Sequence, residues 1–251
     1  AGLWWLGFSF LTWKRLRPRH AARQLPAGET YASIGFKQLR KTISEVKHFP
    51  ETIRFLIAYF LYNDGIQTVI AVASTFAAAP LIQGGLELEQ QTLIAVILMI
   101  QFVAFFGALF WGKLAGRIGA KQSVVVSLVI WAGVVIYAYG GLYGETRIAQ
   151  FFVLGIFIAL VMGGSQAISR SLFAQMIPNG KEAEFFSFYE ISERGTSWIG
   201  PLIFGLANQV FGNLRYAILS LILFFIAGLI LLPFVNVNKA IADARKYGGN
   251  Q

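Results

Sequence analysis

Residues 91–112 read QTLIAVILMIQFVAFFGALFWG, residues 113–121 KLAGRIGAK, and residues 122–142 QSVVVSLVIWAGVVIYAYGGL. Two apolar stretches flank a short loop that carries Lys113, Arg117 and Lys121. Each stretch reaches the roughly 20 residues that an α-helix needs to cross about 30 Å of hydrocarbon. The same reading extends outward to spans at 55–78, 148–177, 184–211 and 214–235. The sequence therefore predicts an all-α integral membrane protein with six transmembrane helices. Composition agrees, with 56% hydrophobic residues, 13% charged residues and a mean hydropathy of +0.61. A barrel is excluded because the ten-residue alternation of lipid-facing strands is missing.

Lysine and arginine set the orientation, since short cytoplasmic loops retain them. Residues 14–54 hold ten of the 21, and Lys113, Arg117, Lys121, Lys181, Lys239, Arg245 and Lys246 fall on the same side. The opposite loops offer Arg147 and Arg215. Both ends of the six-helix unit are then cytoplasmic, and the net charge of +9 is a topology signal, not a nucleic-acid footprint. Residues 1–13 read as the end of a truncated transmembrane helix, because their apolar run precedes the basic cluster instead of following it as in a signal peptide. Residues 14–54 form a basic cytoplasmic loop, residues 55–235 the bundle and residues 236–251 a cytoplasmic tail. Within the loop, Phe36, Leu39, Ile43 and Val46 share one helical face, with Lys37, Arg40, Lys41 and Lys47 mostly elsewhere. Such a helix suits an anionic leaflet, as a resting linker or as a regulatory element.

Enzyme chemistry has no visible machinery. The chain has no cysteine, and His20 and His48 are its two histidines, both in the polar loop. HExxH, GxGD and GxSxG patterns are missing, so no cofactor and no metal are expected.

Ionisable residues inside the spans carry the functional reading, because a charge in a bilayer is costly and marks a substrate path, a proton relay or a gate. Counting about 1.5 Å per residue from Arg54 puts Asp64 about 15 Å deep. The local string Asn63-Asp64-Gly65 is poor helix material, and Gly163-Gly164-Ser165-Gln166 repeats that weakness in the fourth span. Matching interruptions in two inverted halves point to a binding site, here Asn63, Asp64, Ser165 and Gln166. The alternative is a structural carboxylate, neutralised by a proton or a base. Nearer the cytoplasm, Arg170 lies at the same depth as Glu190 and Glu193, and Glu190 and Arg194 stand at i,i+4. These four predict an ion network, either a gate that breaks and reforms or a permanent clamp. Ala104, Ala108, Gly112 and Gly116 form a small-residue stripe suited to close helix packing. Trp131 and Trp198 are cavity-wall or packing residues.

The loop Gly112, Arg117, Gly119 and Lys121 resembles the signature loop of the major facilitator superfamily, GxxxDRxGxK, with Gly116 where aspartate is usual. Residues 60–65 (FLYNDG), 163–178 (GGSQAISRSLFAQMIP), 182–186 (EAEFF) and 195–201 (GTSWIGP) are similar to the branch once called unknown major facilitators, which includes autophagy-linked vacuolar amino-acid effluxers. The resemblance covers about residues 50–235. It implies the C-terminal half of a twelve-helix major facilitator fold that works by alternating access, with the missing N-terminal six-helix half, the lipid bilayer and a small-molecule solute as partners. Ion-coupled secondary transport, with amino-acid efflux as a candidate, follows from the resemblance. So does a cytoplasmic-membrane location in a bacterium or a vacuolar one in a eukaryote. The rival class is a non-transporting receptor or scaffold built on the same fold.

Overall fold

The computed structural model describes residues 2–15, 47–194 and 197–248. The chain divides into two compact units, Ala1–Lys41 and Thr42–Gln251. The first contains α1 (Gly2–Arg15), whose Thr12 hydroxyl donates to the Phe8 carbonyl and whose Trp4 and Phe8 rings lie 4.6 Å apart. The amphipathic helix expected around Phe36–Val46 lies outside the described residues.

The second unit is a helical bundle, and every described element in it is helix, turn or loop. Its long helices are α2 (Pro50–Ala78), α3 (Gln90–Ile118), α4 (Ala120–Gly140) and α5 (Arg147–Gln175). Pro50 opens α2 where its missing N–H costs nothing, and the Ala79-Pro80 pair ends it. Gly119, at φ 88°, makes the turn between α3 and α4 that a side chain would strain. Two short helices follow, α6 (Glu182–Arg194) and α7 (Ile199–Phe211). The last apolar stretch is α8 (Leu214–Ser220), α9 (Ile222–Leu231) and a 3-10 turn at Leu232–Phe234. Asn213 opens α8 by accepting the Arg215 N–H at 2.9 Å.

Among the described residues, five segments are long and apolar enough to cross a membrane: α2, α3, α4, α5 and Leu214–Phe234. The stretch expected to supply a sixth, 184–211, is divided between α6 and α7, each of 13 residues. Within the stretch expected to be the cytoplasmic tail, Val237–Gly248 is a helix, α10, with Ala240 and Ala244 buried.

The interruptions expected in the first and fourth spans are continuous helix in α2 and α5. Their glycines serve close packing instead. A Cβ on Gly164 would collide with the fully buried Trp111 ring of α3, whose indole N–H donates to the Leu160 carbonyl at 2.8 Å. A Cβ on Gly163 would sit 3.3 Å from the Ala104 carbonyl oxygen, and one on Gly107 would sit 2.6 Å from that of Leu160. On α2, a Cβ on Gly65 would lie 2.7 Å from Phe224 Cβ of α9. Glycine lowers helix propensity by about 1 kcal/mol, and tight interhelical contact offsets that cost. Half of the predicted small-residue stripe takes part: Ala104 and Ala108 face Gly163, whereas a Cβ on Gly112 or Gly116 would point into open space.

Candidate functional site

Helix α2 is the most buried of the five candidate spans, and Asn63, Asp64 and Thr68 are buried polar residues near its middle. The Thr68 hydroxyl turns back onto its own helix and donates to the Asp64 carbonyl at 2.7 Å. The Asp64 side chain reaches across to α7, where Oδ2 accepts the Gly200 N–H at 2.7 Å. Trp198 occupies the N-cap position of α7 and supplies no side-chain cap, while Pro201 has no N–H to offer. Asp64 therefore caps α7 from a different helix, with its carboxyl at the positive end of that helix. The approach is close enough to require glycine, since a Cβ on Gly200 would overlap Thr68 Oγ1.

Two oxygens in this group are left over. Asn63 Oδ1 and Asp64 Oδ1 are buried without a hydrogen-bond partner, although their residues are only 2% and 3% exposed. Buried polar atoms are nearly always paired, so these two oxygens set Asn63 and Asp64 apart from the other buried polar residues.

Ser165 and Ser169 belong to a second polar group, between α2, α4 and α5. Ser165 donates to the Val161 carbonyl at 2.8 Å, and Ser169 donates to the Ser165 carbonyl at 2.6 Å. The Ser169 proton is thus committed, so the 2.7 Å contact with Tyr62 is a donation from the phenol to Ser169 Oγ. Trp131 Nε1 stands 3.5 Å from Ser165 Oγ, and its ring stacks on Phe225 with an interplanar angle of 6°. Tyr62 and Asp64 are two residues apart, about 200° around the helix, and so serve opposite sides of α2. Gln166 is half-buried on α5. Apolar clefts run between α2, α3 and α5, past Ile70, Ile97 and Met162, and between α4 and α5, past Gly133, Tyr137 and Phe157. Neither is lined by Asn63, Asp64, Ser165 or Gln166.

Of the predicted cytoplasmic network, the structure brings Arg170 and Glu190 together, Nη2 to Oε1 at 3.6 Å. The pair is loose, with side chains 59% and 39% exposed, and the guanidinium also lies over the Phe186 ring at 5.4 Å. Glu193 and Arg194 end α6, and their side chains lie outside the described residues. Sequence reasoning missed the denser feature beside this pair, a cluster of buried rings. Tyr59 stacks on Tyr189 at 4.3 Å, and Phe173 stands 5.1 Å from Tyr189 and 6.4 Å from Phe55. The signal was present in the spacing of Phe55, Tyr59 and Tyr62 along α2 and of Phe185, Phe186 and Tyr189 along α6.

The basic end of the bundle is tied by several further contacts. Lys121 donates to the Pro233 and Val235 carbonyls at 2.9 and 2.8 Å, which caps the last apolar helix, while Arg117 is exposed. Glu51, buried at the start of α2, accepts from Arg54 at 2.7 Å and from the Asn236 N–H at 2.9 Å, so it anchors the entry to α10. Phe49 packs edge-on against Phe185 and Tyr247. The Glu182 carboxyl is held below its usual range by its own backbone N–H and by that of Gly180. At the opposite end Arg215 is buried and donates to the carbonyls of Ala138, Tyr139 and Leu142, and Arg147 donates to Leu86 at 3.0 Å. The two arginines that break the positive-inside pattern are thus spent on backbone oxygens.

These features define a multi-pass α-helical membrane protein whose most enclosed helix carries a buried carboxylate at its centre. The chain belongs to the family described as "Vacuole effluxer Atg22 like", whose model matches residues 1–245. It is 32% identical over 232 residues to the "Uncharacterized MFS-type transporter YxiO" of Bacillus subtilis (strain 168), covering 92% of this chain and 51% of that protein. It is also 32% identical over 262 residues to "Autophagy-related protein 22-1" of Aspergillus niger, covering 97% of this chain and 41% of that protein. The "Autophagy-related protein 22-1" of Emericella nidulans is 34% identical over 262 residues, with 97% and 44% covered. The chain thus spans about half the length of these curated relatives, or less. No solved structure matches it.

Proposed function

We propose that the full-length protein is a secondary transporter of the major facilitator type, in which this chain supplies the C-terminal six-helix half and a small solute crosses by alternating access. In this reading α6 and α7 together make the remaining span, broken at its middle. The observation that carries the proposal is the Asp64–Gly200 contact, a carboxylate at the centre of one helix joined to the N-terminus of a half-helix. Discontinuous helices with polar ends at mid-membrane are where carriers of other families hold ions and substrates. The names of the relatives support transport as the activity and efflux as its direction, and amino acids are a candidate cargo from the resemblance of the sequence alone.

Asn63 and Asp64 are then the coupling or substrate site. Ser165 and Gln166 belong to the same working surface only if α2 and α5 move relative to one another. The aromatic cluster around Tyr59 and Tyr189, with Arg170 and Glu190 at its edge, forms the cytoplasmic closure. The test is counterflow of a labelled amino-acid mixture into vesicles containing the full-length protein, with and without Asp64→Asn. Saturable flux that loses its uphill component in the variant supports the reading. No flux from folded protein under an imposed ion gradient sinks it and favours a receptor or scaffold.

A further inference from the structure

We propose that α10 is a strap: its docking on the start of α2 and the packing of α6 in the ring cluster stabilise one another through Phe49. The inference deepens the transporter reading by giving the proposed closure a regulatory element, and it rests on that reading for any effect on flux. The link between α10 and α6 stands on contacts at the basic end of the bundle.

α10 has little of its own to hold it in place. Its 12 residues sit at the length below which isolated helices are marginal in water. Its buried residues Ala240 and Ala244 each offer one methyl group, so their burial contributes little. A polar cleft lined by Gln175, Asn179 and Arg245 lies between α10 and the end of α5. Attachment is therefore concentrated at the two ends of the helix. Asn236 caps it by accepting the Lys239 N–H at 3.0 Å, and Glu51 Oε2 accepts the Asn236 N–H at 2.9 Å. Lys121 fixes the chain just upstream through the Pro233 and Val235 carbonyls. At the far end the Tyr247 ring meets Phe49, with centroids 5.3 Å apart at an interplanar angle of 75°.

The buried Phe49 ring also meets Phe185 of α6, 5.5 Å away at 83°. Both contacts are edge-on, a geometry in which aromatic pairs attract beyond their buried area. Phe186 and Tyr189, on the same helix as Phe185, pack on Phe173. One side chain thus belongs to the tail and to the closure at once. If α6 swings away from α2, Phe49 loses one of these edges and the seat for Tyr247 shifts. If α10 leaves, water reaches Phe49 and α6 loses support. Elements that share a buried contact are coupled, and the coupling acts in both directions. A weakly anchored terminal helix opens at lower free energy than the bundle, so it can respond without global unfolding.

The test is hydrogen exchange of the full-length protein in lipid nanodiscs, read at the amides of α6, α10 and α4. Tyr247→Ala removes one ring contact of Phe49 and leaves the spans intact. It is expected to speed exchange in α10 and in α6 by about fivefold, the lower end of coupling between sites, with α4 unchanged. Tyr189→Ala is expected to speed exchange in α10, as reciprocity requires. Lys246→Ala, exposed and about 200° around the helix from Ala244, is expected to change neither. Faster exchange in α10 with none in α6 overturns the proposal, and so does an equal rise in α4, which marks general destabilisation. Deleting residues 237–251 removes the strap outright, and unchanged exchange in α6 after that deletion overturns the proposal as well. Coupled exchange in a protein whose counterflow ignores both Tyr247→Ala and Tyr189→Ala leaves the strap standing and removes the closure reading instead.

Discussion

The two sides of α2 carry polar groups of similar depth and opposite bookkeeping. On the Tyr62 side every hydroxyl is committed: Tyr62 donates to Ser169, Ser169 to the Ser165 carbonyl and Ser165 to the Val161 carbonyl. On the Asp64 side one carboxylate oxygen is paired and two neighbouring oxygens are not. A satisfied buried network fixes a packing arrangement, whereas an incomplete one costs stability unless a further group completes it. In the proposed reading, the satisfied side is architecture and the unsatisfied side is the working site.

Arg215 extends the satisfied side to its limit and gives the largest expected effect. Its guanidinium serves three carbonyls near the end of α4 and lies 4.0 Å from the Tyr143 ring centroid. Arg215→Met is expected to cost about 3 kcal/mol or more, because charge-assisted bonds are lost and buried carbonyls are stranded. Thermal unfolding of the full-length protein checks this. A drop as small as that of an exposed residue would break the rule that committed donors mean architecture.

The next effect belongs to the Asp64 side. Gly200→Ala drives a methyl group into Thr68 Oγ1 and forces α7 away from α2, at an expected cost of about 1–3 kcal/mol. Thr68→Ala in the same protein removes the obstructing hydroxyl and is expected to restore most of the loss. If the double variant is no more stable than Gly200→Ala alone, the steric account of this contact fails.

Hydropathy exposed most of the fold to sequence reading. The stretches around 91–112, 122–142 and 148–177 appear as helices whose ends move by a few residues, because each apolar run must be closed by its own backbone bonds. Glycine was harder to read. Gly65, Gly163 and Gly164 look like helix breaks in isolation, and only the partners Phe224, Ala104 and Trp111 reveal them as contact points. The real division, between Arg194 and Ile199, depends on a cap delivered by Asp64 from 136 residues away, which no local pattern records. Asp64 itself was legible because a lone carboxylate in an apolar run has few explanations. Its link to Gly200 was not, and neither was the helical tail, whose buried face is made of alanines too small to stand out.

The sharpest comparison across α2 pairs two conservative variants. Tyr62→Phe deletes one buried hydrogen bond and is expected to cost about 1 kcal/mol, since Ser169 keeps its own donation to the Ser165 carbonyl. Transport by that variant should stay close to normal once the protein is folded. Asp64→Asn should do the reverse, leaving the unfolding midpoint nearly unchanged and abolishing uphill flux. Unfolding curves and counterflow on the same two preparations decide it. Matching losses of stability and flux in both variants would erase the distinction between the two sides.

The smallest effect is expected at Arg170 and Glu190, where the distance of 3.6 Å and the exposure of both side chains leave little net Coulombic gain. Exposed pairs contribute about 0–1 kcal/mol, so a double-mutant cycle with Arg170→Gln and Glu190→Gln should return a coupling energy in that range. A functional closure predicts something more specific. Neutralising either residue should raise the solvent accessibility of a cysteine placed at Tyr189, inside the ring cluster, and exchanging the two charges should lower it again. Accessibility that follows stability and ignores the charge exchange would make the pair an incidental surface contact and leave the aromatic rings as the closure.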